Sequence, residues 1–351
     1  MNRRDILSSL LSVVVVGRTE AGTPSPEHTT MTLKASGPVN SRADGDVIEG
    51  LDVTSRSGSA IGIKHKNVKV RNCRIRHAGG NGIAAKNAPG LLLEGLDIQH
   101  IGAPASGESP NDNCNNIDLE NCPGAVITRI RAARGSANIY LLTSGGSKLS
   151  FLELHDARGP LPRGQNMQFD KSPNSVLADF SAENGPSSWT EDNISVFQSD
   201  RCIVRRGLVS YNNSPTGFGV MVEGSFDCLI EDIDAVQQGN GAFSAVTLDD
   251  TGSGGCIINR CRTRDSYNST RDGRDAPSSN SLSIYTSISP GARKHTITNC
   301  EYFNLANPDN LIWQMSAIRP GWSFRLRDFE TRPPVRLVFP WDAANTDPDQ
   351  R

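Results

Sequence analysis

Carboxylates recur at one place in this chain's pattern. Asp118 and Glu120, Asp170, Glu223 and Asp249 interleave with or follow apolar pairs two residues apart: Ile117/Leu119, Met167/Phe169, Val220/Val222 and Val246/Leu248. Asp250 stands beside the last, and Glu191 and Asp192 lie just ahead of Ile194/Val196. If each pair is the buried side of a short strand, the residues between and after point outward. Parallel strands stacked in register would bring those acids into one column at roughly 4.8 Å per step. Asp170 and Glu223 would then stand two steps apart, roughly 9.6 Å between backbones, and Glu223 and Asp249 one step, roughly 4.8 Å. Paired carboxylates at such spacings are what glycosidic hydrolysis needs. One protonates the leaving oxygen while the other activates water across a wide gap or attacks directly across a narrow one. Crowding raises one of the pKa values, which a general acid requires. Asp170, Glu223 and Asp249 are therefore the candidate catalytic set. Gln168, Arg163, Lys171, Tyr140, Glu191, Asp192 and Gln198 are candidates for holding substrate, with Phe197 and Trp189 as stacking surfaces.

The elements that must position these residues are legible as repeats. In Asn67–Lys86, apolar residues fall at Val68, Val70, Cys73 and Ile75, a Gly-Asn-Gly turn follows, and Ile83 and Ala85 alternate after it. Period-2 runs split by turns read as strands, and one such unit cannot bury its own apolar face. The pattern returns from Leu91, Ala125, Cys228, Cys256 and His295, with weaker copies from Asp46, Leu149, Val176 and Cys202. A second ladder runs Ile61/Ile63, Ile83/Ala85, Ile117/Leu119, Ile139/Leu141, Met167/Phe169, Ile194/Val196, Val220/Val222, Val246/Leu248, Ile284/Thr286 and Leu311/Trp313. No period-3.6 stripe accompanies it, so the repeats are strands of an all-β solenoid rather than helical pairs.

These ladders resemble the right-handed parallel β-helix proteins of the pectin-lyase-like superfamily, with about ten coils over residues 46–314. The stretch Gly159, Pro160, Pro162, Arg163, Gly164, Gln165, Gln168, Phe169, with Glu191, Asp192, Ile194 and Ser195 after it, resembles a segment of uncharacterised bacterial members. The D-P-H-D epimerase signature and the G-H-G set of polygalacturonases are absent. The resemblance implies a carbohydrate polymer or oligosaccharide as substrate and leaves the reaction open. Hydrolysis is the preferred reading, with no cofactor. A lyase or epimerase acting on uronates would use Arg163 or Lys171 as base or charge neutraliser, and Asp118 and Glu120, with Asp170 and Glu223, as Ca²⁺ ligands. The acid excess on the face would repel an acidic polymer unless metal were bound. In a third reading the chain binds glycan or serves as a surface structural protein without catalysis.

The remaining features bound the organisation. The chain has 351 residues, 36% hydrophobic and 21% charged, with a formal net charge of -2. That balance offers no footprint for nucleic acid. Residues 1–22 pair Arg3 and Arg4 with an apolar run too short to span a bilayer, as in a twin-arginine export signal, so a periplasmic or extracellular location is expected. Residues 23–45 read as a flexible lead-in, 46–314 as the solenoid, and 315–351 as an irregular cap and tail over its open end. Insertions at 102–113 and 266–281 enter at one point of the repeat and would wall one side of the molecule, which is expected to be a monomer. Of the eight cysteines, six take inward repeat positions, and Cys114 with Cys122 is the one pair placed for a bridge. His155 is a minor candidate near the site, and no Cys/His cluster has zinc spacing.

Overall fold

The computed structural model describes residues 31–103, 114–158, 164–185, 188, 190–212, 214, 216–248, 251–267 and 282–342. The export segment, Arg163, Trp189, Asp249, Asp250 and most of both insertions lie outside these residues. Among the described residues the chain winds into a parallel β-solenoid of two sheets, one of 15 strands and one of 11, with one short 3-10 turn at Met315–Ala317. The wider sheet carries the long strands, such as Lys69–His77 and Ile203–Asn212. The narrower one carries short strands, such as Ile117–Glu120, Met167–Asp170 and Ile194–Phe197.

Burial sets the register. Ile117, Ile139, Met167, Ile194, Val220, Phe243 and Ile284 are consecutive inward rungs of the narrow sheet, each fully buried. A buried side chain of this size contributes about 1.5–3 kcal/mol, so slipping one rung would cost its whole column. Shape is complementary between rungs as well. Phe180 faces Gly207 in register, and a Cβ at 207 would lie 2.3 Å from the Phe180 ring. All eight cysteines are buried free thiols, so the Cys114–Cys122 bridge does not form and both act as small apolar residues.

Two polar ladders hold the corners. Ahead of the narrow sheet, Asn116 donates to Asn138 at 2.7 Å, Asn138 to Asn166 at 2.7 Å, and Asn166 to Asn193 at 2.9 Å. All four are completely buried, and His77 extends the series through a 2.7 Å contact with Asn116. At the far corner each coil turns on a left-handed residue: Asn121, Thr143, Lys171 and Gln198 have φ between 46° and 54°. A serine follows Thr143, Lys171 and Gln198, and its hydroxyl accepts a backbone N–H of the preceding coil. Ser144 takes that of Cys122 at 2.9 Å, Ser172 that of Ser144 at 2.8 Å and Ser199 that of Ser172 at 2.7 Å.

Several boundaries differ from the sequence reading. The solenoid starts before Asp46, because Lys34–Ser36 already pairs with Leu51–Val53 and Val39 with Ile61. The copies assigned to Leu149 and Val176 start at Ser147 and Ser175, since Leu149 and Leu177 lie opposite Ile127 and each other. The narrow sheet departs from the sequence reading at two rungs, by three residues at the first and by one at the second. Phe243 and Ala245, not Val246 and Leu248, continue Val220 and Val222, and Ile312, not Leu311 and Trp313, continues Ile284.

The C-terminal segment is not an end cap. After Phe324–Leu326 adds a strand beside Cys300–Phe303, the chain runs back along the outer face of the wide sheet. Phe329 packs under Arg262 at 4.4 Å, and the Arg332 backbone donates to Asp234 at 2.7 Å. Farther on, Val335 accepts from Ser181, and the Leu337 backbone donates to Glu153 at 2.8 Å. Phe339 lies 4.9 Å under Arg131. His155 ends a wide-sheet strand, 3.2 Å from Glu153, and so lies off the narrow sheet that carries the acid column. Burial alone would push Glu153 up, but His155, the Leu337 N–H and Arg131 outweigh it and hold the carboxyl down at about 2. Asp234 is fully buried, with Arg262 on both carboxylate oxygens at 2.8 Å. Arg262→Ala is expected to cost about 3 kcal/mol in urea unfolding, because it strands most of a buried charge while Arg332 remains nearby. A loss under about 0.5 kcal/mol, as for a surface pair, would contradict this account.

Candidate functional site

The strap covers the wide sheet, while the outer face of the narrow sheet presents two in-register columns. One runs Asp118, Tyr140, Gln168, Ser195, Met221, Ser244, Tyr285 and Trp313. The other runs Lys86, Glu120, Leu142, Asp170, Phe197, Glu223 and Val246. Asp170 and Glu223 therefore share one column with Phe197 between them, two steps or roughly 9.6 Å apart at the backbone. Tyr140 donates its hydroxyl hydrogen to Asp170 Oδ2 at 2.7 Å, while the other oxygen of Asp170 is buried without a hydrogen bond. Gln168 reaches Ser195 at 3.4 Å.

A second group of acids enters from the corner ahead of the strands. Glu191 and Asp192 precede Ile194–Phe197, directly after the asparagine-ladder corner. The Gln165 side chain donates to Glu191, and Asp192 Oδ1 accepts the Phe218 backbone N–H at 2.7 Å. A Cβ at Gly217 would fall 1.4 Å from the Glu191 carbonyl oxygen, so only glycine lets the next coil pass this loop. Burial, then the charge of Glu223, raises the Glu191 carboxyl to about 7. Burial and then Glu191 push Asp192 well above the usual range, against the opposing pull of the Phe218 N–H. Glu191 is thus half-buried, protonated near neutral pH, and within the field of a second carboxylate on an open face.

Not every sequence-predicted residue joins this group. Lys171 and Gln198 occupy the left-handed corner positions one residue past the outward column, beside rather than on the face. Asp118 accepts from Asn115 at 2.7 Å and Glu120 pairs with Lys86 at 2.7 Å, two steps from Asp170. Both line a concavity of about 410 Å³ with Lys64 and Asn81 at the start of the face. Among the described residues no group of three or more His, Cys, Asp or Glu side chains is placed to hold a metal ion. The place Asp249 was to fill beside Glu223 is taken by Val246.

Sequence reasoning missed the far end of the face. Tyr285 and Trp313 pair in register with their rings parallel to within 5° and 6.1 Å apart, and Phe218 lies 6.0 Å from Tyr285. Trp313 is 41% exposed. Together with Glu223, Ser287 and Gln314, Tyr285 and Phe218 line a concavity of about 550 Å³. The signal was available, since Tyr285 follows inward Ile284 as Tyr140 follows Ile139.

Comparison with known proteins agrees with this architecture. A family model described as a right handed beta helix region matches residues 39–153. The catalytic domain of a GH87 alpha-1,3-glucanase, solved with tetrasaccharides, superposes with a TM-score of 0.59 at 12% identity, over 82% of this chain and 55% of that one. The A-module of Azotobacter vinelandii mannuronan C-5 epimerase AlgE6 superposes with a TM-score of 0.51 at 12% identity, over 87% of this chain and 80% of the module. The chain spans about half the length of the glucanase domain. No curated protein matches the sequence. In fold, this chain is a right-handed parallel β-helix. No helix among the described residues is long and apolar enough to cross a membrane.

Proposed function

We propose that this protein binds a poly- or oligosaccharide along the outer face of its narrow sheet and hydrolyses a glycosidic bond there. The observation that carries the reading is the half-buried Glu191 carboxyl beside the narrow-sheet face, raised to about 7 by burial and then by the charge of Glu223 in the next coil. Glu191 is the acid: its proton passes to the glycosidic oxygen as the bond to the anomeric carbon breaks. Glu223 takes a proton from the water that adds to that carbon. The two come from opposite borders of the short strands, Glu191 from the corner ahead of them and Glu223 from their last outward position. That favours the wide pair and inversion. Asp170, oriented by Tyr140, and Gln168 hold sugar hydroxyls on the neighbouring coils. The likeness in fold to a glucanase and to a mannuronan C-5 epimerase module supports carbohydrate as the substrate class. The paired arginines near Met1 support export as part of the same proposal.

Elimination on a uronate fits this face less well, because Lys86 is held by Glu120 and, among the described residues of the two outward columns, acids outnumber cations. Incubation with neutral and acidic polysaccharides separates the two chemistries. New reducing ends without an ultraviolet-absorbing unsaturated product are expected, with the released anomer inverted. An unsaturated product would overturn the hydrolytic reading.

A further inference from the structure

We infer that the Tyr285–Trp313 pair is a binding subsite for an uncharged pyranose unit, which makes the preferred substrate a neutral glycan rather than a uronate polymer. The inference rests on the hydrolytic reading only for where the scissile bond lies, since the subsite itself is defined by its own lining. Two parallel aromatic rings, one of them 41% exposed, offer flat apolar area to the C–H face of a sugar ring. Tyr285 lines a concavity whose border also carries Ser287, Gln314 and Thr247, which can meet ring hydroxyls, and Trp313 stacks against Tyr285 beside it. Among the described residues Glu223 is the only charged one lining the concavity, so none of those lining residues offers a cation to a carboxylate or sulfate on the sugar. An anionic unit would instead face the field of Glu223. Because that acid lines the concavity and also raises Glu191, the subsite is continuous with the acid pair. Tyr285 stands two coils beyond the Glu223 strand and Trp313 three, roughly 10 and 14 Å along the solenoid. A bound chain would therefore extend from the reacting bond toward the C-terminal coils.

The test is binding to immobilised neutral glucans of α-1,3, α-1,4, β-1,3 and β-1,4 linkage, beside oligogalacturonate as the acidic probe. A Glu191→Gln background lets binding be read without turnover. Trp313→Ala should weaken retention on the neutral glucan that binds by about tenfold, whereas Trp313→Phe should keep most of it. On the active chain the same alanine change should raise KM and leave kcat nearly unchanged, the signature of lost binding remote from the bond. A sugar-induced change in tryptophan emission should appear in the parent chain and vanish in Trp313→Phe, whose fold is retained. Equal retention by Trp313→Ala, binding of oligogalacturonate alone, or binding of no glucan would each overturn the subsite. Tryptophan-dependent retention without release of reducing ends would uphold the subsite and count against hydrolysis. Reducing ends with unaltered binding by Trp313→Ala would do the reverse.

Discussion

Glu191→Gln is expected to lower turnover of the susceptible glycan by about 10²–10⁴-fold, the range a positioned general acid contributes, while leaving circular dichroism and glycan retention unchanged. The amide keeps the shape of the side chain and its contact with Gln165, and removes only the transferable proton. The pH profile should follow. Activity of the parent chain is expected to fall as pH rises through about 7, where Glu191 ionises. Glu223→Gln should abolish turnover similarly and also shift the Glu191 ionisation downward, because the charge that helps to raise it would be gone. A turnover loss under about tenfold in Glu191→Gln would move the acid elsewhere, with Asp170 the next group to test.

The same raised pKa has a consequence for stability. An unfolded chain ionises Glu191 near its ordinary 4.5, whereas the folded chain holds the proton to about 7. Between those values the native state binds more protons, so the stability that this group contributes is fully present below about 4.5. It is lost as pH climbs through about 7. Glu191→Gln should therefore raise Tm relative to the parent at pH 8 and have little effect at pH 4. The site would be keeping an acid where burial opposes its charge, at the expense of the fold.

The second large effect is expected away from the carboxylates. Asn166→Leu should cost about 4 kcal/mol in denaturant unfolding, since buried polar groups left unpaired cost about 1–3 kcal/mol each. Asn166 is completely buried, accepts from Asn138 at 2.7 Å, and donates to Asn193 at 2.9 Å and Asn184 at 3.0 Å. Leucine fills a similar volume but removes the partner of one Asn138 amide hydrogen and of the Asn184 side-chain oxygen, and leaves Asn193 with the Asn184 amide in place of two donors. Asn193 directly follows Asp192, so the Glu191–Asp192 loop should loosen, and glycan turnover should drop more steeply with temperature than in the parent. A cost below about 1 kcal/mol would show that water or a local shift re-satisfies the ladder.

Much of this architecture can be read before any coordinates. Strict alternation in Ile117/Leu119, Ile139/Leu141, Met167/Phe169 and Ile194/Val196 allows only one face to be buried, so the rungs and their outward acids follow from local pattern. Asp170 and Glu223 lie on one side for that reason. The reading slips where alternation is ambiguous. Every residue of Gly241–Val246 is buried, so either phase looks like an inward set, and Val246/Leu248 imitates a rung that Phe243/Ala245 occupies. The same ambiguity in Leu311, Ile312 and Trp313 hid the aromatic pair.

What needed the folded molecule was every property created by contacts between distant coils. The strap depends on charges far apart in the chain, such as Arg332 against Asp234, which no local pattern links. Nothing in Glu191's immediate neighbours separates it from any other outward acid. Its proton affinity comes from burial by adjoining coils, from room left by Gly217, and from the field of Glu223 in the following coil. Alternation is a nearest-neighbour property and survives in one dimension, whereas burial and electrostatic potential are sums over three.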